Sequence, residues 1–84
     1  MNNIYRLQNI FRDVFENPSL QITPDTAPSN YPDWDSVAMV QVVLAAEADF
    51  GIRFTTDEVA GIHSVADILK LLEIHGHEDH SHSR

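Results

Sequence analysis

Asp35-Ser36-Val37 joins a proline-bearing stretch to a long apolar run, and a serine so placed suits one kind of chemistry. If a helix opens at Ser36, the hydroxyl stands beside first-turn N–H groups that have no intrahelical acceptor. The positive end of the helix dipole favours negative charge at the same point. A phosphate ester on Ser36 is the modification this setting stabilises. Asp35 can cap the same helix by accepting from an N–H two or three residues on, a contribution of about 1 kcal/mol. The dipeptide alone also reads as a cap and a first-turn residue with no further role.

A second set of reactive side chains lies at the end of the chain, where His75-x-His77 is followed by His80 and His82. Imidazoles can bind a transition metal. Histidines on a flexible segment impose no geometry, and no groups that would orient them are evident, so no specific metal site is expected. The fifth histidine, His63, has no spacing that would make Ser36 a catalytic nucleophile. Residues 25–36 lack the central glycine and alternating acids of a calcium loop. The chain has no cysteine, which excludes disulfides, thiolate metal sites and thiol catalysis.

The elements that must position these residues are readable from apolar spacing. Ile4, Leu7, Ile10, Phe11, Val14 and Phe15 form the single stripe of a first helix over residues 3–16. Asn17 and Pro18 end it, because proline disfavours helix at the preceding residue and brings no N–H. All four prolines (Pro18, Pro24, Pro28, Pro32) fall in residues 18–33, a loop of a length more often functional or flexible than idle. Leu20 and Ile22 tack it to the core. The second helix follows Asp35 and places Val40, Val43, Leu44 and Phe50 on its inner stripe, with Gly51 as its C-terminal cap. Thr55-Thr56-Asp57-Glu58 matches a capping box and opens a short third helix ending near Gly61. Ser64 precedes Val65, Ile68, Leu69, Leu71 and Leu72, the apolar face of a fourth helix that stops around residues 74–76. Residues 75–84 read as a His-rich disordered tail behind a domain of residues 1–74. The fold class is all-α, a four-helix bundle with three longer helices, a short third helix and a long loop between the first two. Phe11, Phe15, Phe50 and Phe54 are core residues in this reading. Trp34 either anchors the loop against the second helix or grips a group bound at Ser36.

Composition limits the functions further. With 84 residues the chain is one small domain, and folding would hide about 63% of its surface. Thirteen acids against five Lys and Arg give a formal charge of -8, which repels phosphate backbones and excludes non-specific nucleic-acid binding. Basic surfaces on partner proteins are attracted instead. No apolar run approaches the roughly 20 residues needed to span a bilayer, and the first ten residues lack a basic leader and apolar core. The expectation is a cytoplasmic monomer.

The whole pattern resembles the acyl carrier protein family. The residues that carry the resemblance are Asp35-Ser36-Val37, Val40, Glu47, Phe50, Phe54, Asp57-Glu58, Ile62 and Val65, spread over almost all of the helical chain. The resemblance implies that a holo-acyl-carrier-protein synthase, a phosphopantetheinyl transferase, esterifies Ser36 with 4′-phosphopantetheine from coenzyme A and magnesium. It implies a carrier of acyl thioesters and not an enzyme, with Asp35 both capping the helix and facing the basic synthase. It also implies an acyl pocket between the second and third helices, for which Val40, Leu44, Phe54, Val59 and Ile62 are the candidates. Bulky Phe54 in that space favours a short or polar cargo.

Partner contacts are expected from acyl-loading and acyl-processing enzymes with basic docking surfaces, at Val37, Met39, Gln41, Glu47, Asp57 and Glu58. The chain departs from the family at two points. Val37 stands where leucine is common. The outer face of the second helix carries Ala38, Gln41 and Ala48 where acids are frequent, leaving Glu47 and Asp49, which points to a dedicated pathway rather than general fatty acid synthesis. Met39 and Val42 either add an apolar contact or are partly buried. The rival readings are an aminoacyl or peptidyl carrier and, from a different class, a helical interaction protein that binds metal through the histidine tail.

Overall fold

The first apolar stripe becomes helix α1 (Asn3–Val14), which buries Leu7, Ile10 and Phe11. The computed structural model describes residues 3–81, with the side chains of residues 3–75. Three further helices follow: α2 (Ser36–Phe50), α3 (Thr56–Ala60) and α4 (Val65–Ser81). No strand occurs among the described residues. α1 packs mainly on α2 and also on α4, and one apolar cluster joins them through Phe11, Trp34, Val42, Val65, Ile68 and Leu72.

α1 ends two residues before the limit set by Asn17-Pro18. Glu16 adopts a left-handed backbone with φ 53°, and the Asn17 N–H turns back to the Arg12 carbonyl at 3.0 Å, the closure of a Schellman turn. The difference from the expected end at residue 16 is this tight turn.

The proline-bearing loop is ordered by hydrogen bonds. The Ile22 N–H donates to Gln8 Oε1 at 2.9 Å, and Arg12 Nε donates to the Leu20 carbonyl at 2.7 Å. At the other end, the N–H groups of Val65 and Ala66 donate to the carbonyls of Thr26 and Pro24 at 2.8 and 3.0 Å. The loop therefore supplies acceptors to first-turn donors of α4 that no helix can satisfy internally. Ile22, Ala27 and Trp34 are buried along it, and the indole of Trp34 meets the Phe11 ring edge-on at 5.1 Å.

α2 corrects the expected inner stripe. It buries Ala38, Val42, Val43 and Ala46, whereas Val40 and Leu44 are 53% and 58% exposed. The run is apolar on nearly every side, so its own pattern selects no face. Ala38 and Ala46 lie with Val42 and Val43 in the buried cluster that α1 shares, and packing on that side leaves Val40 and Leu44 outward. Ala38 is thus a core residue and not part of the outer face, and Val42 is fully buried while Met39 is half-buried. Gly51 closes α2 at φ 70°, where a side chain would be strained, and the Ile52 N–H reaches back to the Glu47 carbonyl at 3.1 Å.

α4 also differs from expectation, continuing to Ser81 instead of stopping at residues 74–76. No proline interrupts residues 65–81, and the single Gly76 costs only about 1 kcal/mol in a helix. Residues 75–81 of the expected disordered tail are therefore helical backbone. Residues 82–84, with His82, lie outside the described residues, as do the side chains of His77 and His80.

Candidate functional site

Burial alternates sharply at the junction of loop and helix. Trp34 is 1% exposed, while Asp35, Ser36 and Val37 are all exposed. Asp35 has extended backbone (φ -98°, ψ -172°), the geometry of an N-cap. Its Oδ1 accepts from the Ala38 N–H at 2.9 Å, and its carbonyl accepts from the Met39 N–H at 2.9 Å. Ser36 and Val37 are left with N–H groups at the helix mouth that have no intrahelical acceptor. The Ser36 hydroxyl makes no hydrogen bond among the described residues. The indole anchors the chain one residue before the cap, and the cap then aims the hydroxyl at solvent.

Two apolar hollows lie along α2, and this serine belongs to one of them. The first, of about 410 Å³, is lined by Pro28, Trp34, Asp35, Ser36, Met39, Val40 and Val59. The second, of about 380 Å³, lies between α2 and α3 and is lined by Val40, Leu44, Phe54 and Val59 together with Val43, Thr56 and Ala60. Val40 and Val59 belong to both. Of the five pocket candidates, Ile62 lies in neither wall. It is buried in the core cluster, because α3 ends at Ala60 and the chain turns inward there. The walls from Pro28, Trp34, Thr56 and Ala60 had no signal in the apolar spacing, since a loop and a one-turn helix carry no period.

The acids expected to dock partners are largely engaged within the fold. A Glu47 carboxylate oxygen accepts from the Phe54 N–H at 2.8 Å, holding the link between α2 and α3. Asp49 pairs with Arg6 at 3.0 Å, and the same guanidinium lies 4.1 Å from the Phe50 ring centre. Glu58 completes the capping box of α3, accepting from the Thr55 N–H at 2.9 Å while Thr55 Oγ1 accepts from the Glu58 N–H at 3.1 Å. Val37, Gln41 and Asp57 are exposed and Met39 is half-buried in the wall beside Trp34. Glu47→Ala is therefore expected to lower stability by about 1 to 3 kcal/mol, the cost of leaving a partly buried donor unpaired. Chemical denaturation measures the loss, and faster amide exchange at Phe54 locates it.

Glu58 has a second partner that sequence reasoning did not find. His75 Nε2, on α4, donates to its two carboxylate oxygens at 2.9 and 3.1 Å, and the Phe54 ring meets the imidazole edge-on at 5.5 Å. The contact exists only because α4 extends past Ile74. The Thr55 N–H, and after it the His75 ring, hold the Glu58 carboxyl below its ordinary value of 4.5. A depressed carboxyl stabilises the fold above its unfolded value, and that stability fades as acid protonates it. The stability gap between the parent and Glu58→Gln should shrink as the pH falls below about 4.5. Thermal melts across that range test it; a gap independent of pH would contradict it. No group of three or more His, Cys, Asp or Glu that could hold a metal occurs among the described residues.

Comparison with known proteins agrees with this geometry. Residues 6–72 match the family described as phosphopantetheine attachment site. The acyl carrier protein of Acidothermus cellulolyticus is 38% identical over 61 residues, covering 73% of each chain. The meromycolate extension acyl carrier protein of Mycolicibacterium aurum is 24% identical over 67 residues, covering 80% of this chain and 69% of that one. The holo acyl carrier protein of Geobacter metallireducens superposes with a TM-score of 0.89 at 25% identity, covering 100% of this chain and 97% of the other. With its family pattern spanning most of its length, four helices in the matching arrangement and an exposed serine at the mouth of the second, the chain belongs to the acyl carrier protein family, whose cofactor is a covalently attached 4′-phosphopantetheine.

Proposed function

We propose that Ser36 bears the phosphopantetheine and that the protein is a carrier without catalytic activity of its own, presenting acyl groups as thioesters to successive enzymes. The observation that carries this reading is the Ser36 hydroxyl, exposed and without a hydrogen bond among the described residues, in the lining of an apolar hollow. The residues fit the group. Donors of the first turn and the α2 dipole face the position of a phosphate ester, and apolar walls lie beside it. Bound there, the arm supplies the thiol that a chain with no cysteine lacks. Asp35 holds the helix mouth open by capping it and offers a carboxylate to a basic transferase. In the transfer the Ser36 oxygen gives up its proton and forms the ester with the phosphopantetheinyl phosphate of coenzyme A, and adenosine 3′,5′-bisphosphate leaves.

The hollow between α2 and α3 is the space for cargo in this reading. Phe54 narrows it, held by its amide to Glu47 and by its ring against His75, so a short acyl group is favoured. Glu47 and Asp49 are tied up within the fold, which supports service to a dedicated pathway rather than to general fatty acid synthesis. The partners are a phosphopantetheinyl transferase and acyl-handling enzymes that meet Val37, Gln41 and Asp57, and the compartment is the cytoplasm. No helix among the described residues is long and apolar enough to cross a membrane. The test is intact mass after incubation with coenzyme A, magnesium and a transferase. A gain of one phosphopantetheinyl group is expected, and an unchanged mass with several transferases would overturn the reading. Mass measured on protein taken from its own cell would show the cargo as well.

A further inference from the structure

Trp34 carries a group that the fold does not use. Its side chain is 1% exposed, yet its Nε1–H is buried with no hydrogen-bond partner among the described residues. A buried donor left unpaired costs about 1 to 3 kcal/mol, and such groups are few in native proteins. Packing alone does not account for it. The edge-on contact with Phe11 at 5.1 Å and the filling of the core would be served by a phenyl ring, which has no donor to satisfy. The same indole forms part of the wall of the 410 Å³ hollow that opens at Ser36.

The lining of this hollow brings several kinds of group together. Ser36 and Asp35 belong to it, next to the donors of the α2 first turn, and so do the apolar side chains of Met39, Val40, Val59 and Pro28. The Trp34 indole is part of the same lining, its Nε1–H sealed and unpaired. The proximal half of a phosphopantetheine arm carries groups that match these: a phosphate, a quaternary carbon with two methyl groups and an amide carbonyl. We propose that the hollow is a seat for this proximal half, with the two methyl groups against Met39, Val40 and Val59 and the first amide carbonyl accepting from Trp34 Nε1–H after a small turn of the indole. Trp34 is then a positioning residue that holds the arm against the protein between transfers. The inference rests on Ser36 being the attachment site. The seat shares Val40 and Val59 with the cargo space between α2 and α3, whereas Trp34 lines only the seat.

The single tryptophan of the chain makes the test direct. The apo protein is converted to the holo form, intact mass confirms the conversion, and the indole N–H signal is followed in a ¹⁵N-labelled sample. On conversion the indole proton should move downfield, exchange with water more slowly and show cross-relaxation to the two arm methyl groups. In holo Trp34→Phe, checked for its helical content, those methyl signals should return to their positions in free pantetheine. In holo Phe54→Ala they should stay where they are in the parent. An indole signal unmoved in protein that is holo by mass overturns the inference while leaving the attachment at Ser36 intact. A signal that moves only when the thiol is acylated also overturns it, because the occupant is then the cargo. No mass gain at all overturns the attachment reading itself, and this inference with it.

Discussion

Ser36→Ala abolishes the phosphopantetheinyl mass gain completely and leaves stability within about 0.5 kcal/mol of the parent, as for a surface substitution that removes no contact. Both halves of that result follow from the position of the residue. The hydroxyl is exposed and makes no hydrogen bond among the described residues, so no donor or acceptor is orphaned by its removal. Alanine is also at least as good a helix former as serine, and Asp35, not Ser36, caps α2. No other side-chain hydroxyl stands at this helix mouth to take the ester. Intact mass and thermal unfolding on the same sample check the two halves together. A persisting mass gain in the alanine variant would place the attachment on another hydroxyl, and a collapsed melt would show that Ser36 supports the fold.

Phe11→Ala is expected to do the reverse, weakening the fold on which every function depends. Phe11 is fully buried, stacks edge-on to Trp34 at 5.1 Å and lies 5.7 Å from the Phe15 ring. It therefore joins α1, the loop and the residue that precedes the cap of α2. Truncating a buried phenylalanine costs about 3 to 5 kcal/mol. A domain of 84 residues has a total stability of only about 4 to 13 kcal/mol, so the variant loses a large share of it. The thermal midpoint should fall by more than about 12 °C. Because Trp34 leans on this ring, its fluorescence should shift toward that of an exposed indole before unfolding is complete. A variant that melts within a few degrees of the parent would mean that the aromatic cluster is not what holds the loop to α2.

These two residues also show how differently site and fold were written into the chain. The Asp-Ser junction was legible because capping is local: a carboxylate, a following apolar run and a preceding proline-bearing stretch need no distant partner to state where a helix begins. The capping box at Thr55 and Glu58 and the glycine stop at Gly51 were legible for the same reason. The inner face of α2 was not. Val40 and Leu44 are as apolar as Val42 and Val43, and only packing against the other helices, on the side that also holds Ala38 and Ala46, decided which pair faces inward. The roles of the acids were equally hidden. Glu47 and Asp49 read as surface carboxylates along their own helix and Glu58 as a capping residue alone, and each takes a partner from elsewhere in the chain: the Phe54 N–H, Arg6 and His75.

Local order along the chain set the four helices, the place of the hydroxyl at the start of the second and the acidic, cysteine-free chemistry around it, since these depend on interactions spanning only a few residues. The tertiary structure alone decided that the second helix turns Val40 outward, that Ile62 joins the core and that the fourth helix runs on far enough for His75 to meet Glu58. It also decided that the indole of Trp34 is sealed against a hollow with its N–H unpaired. Those outcomes are set by close packing between segments distant in the chain, where small residues, available volume and unsatisfied donors select one arrangement among several that local preference leaves equal.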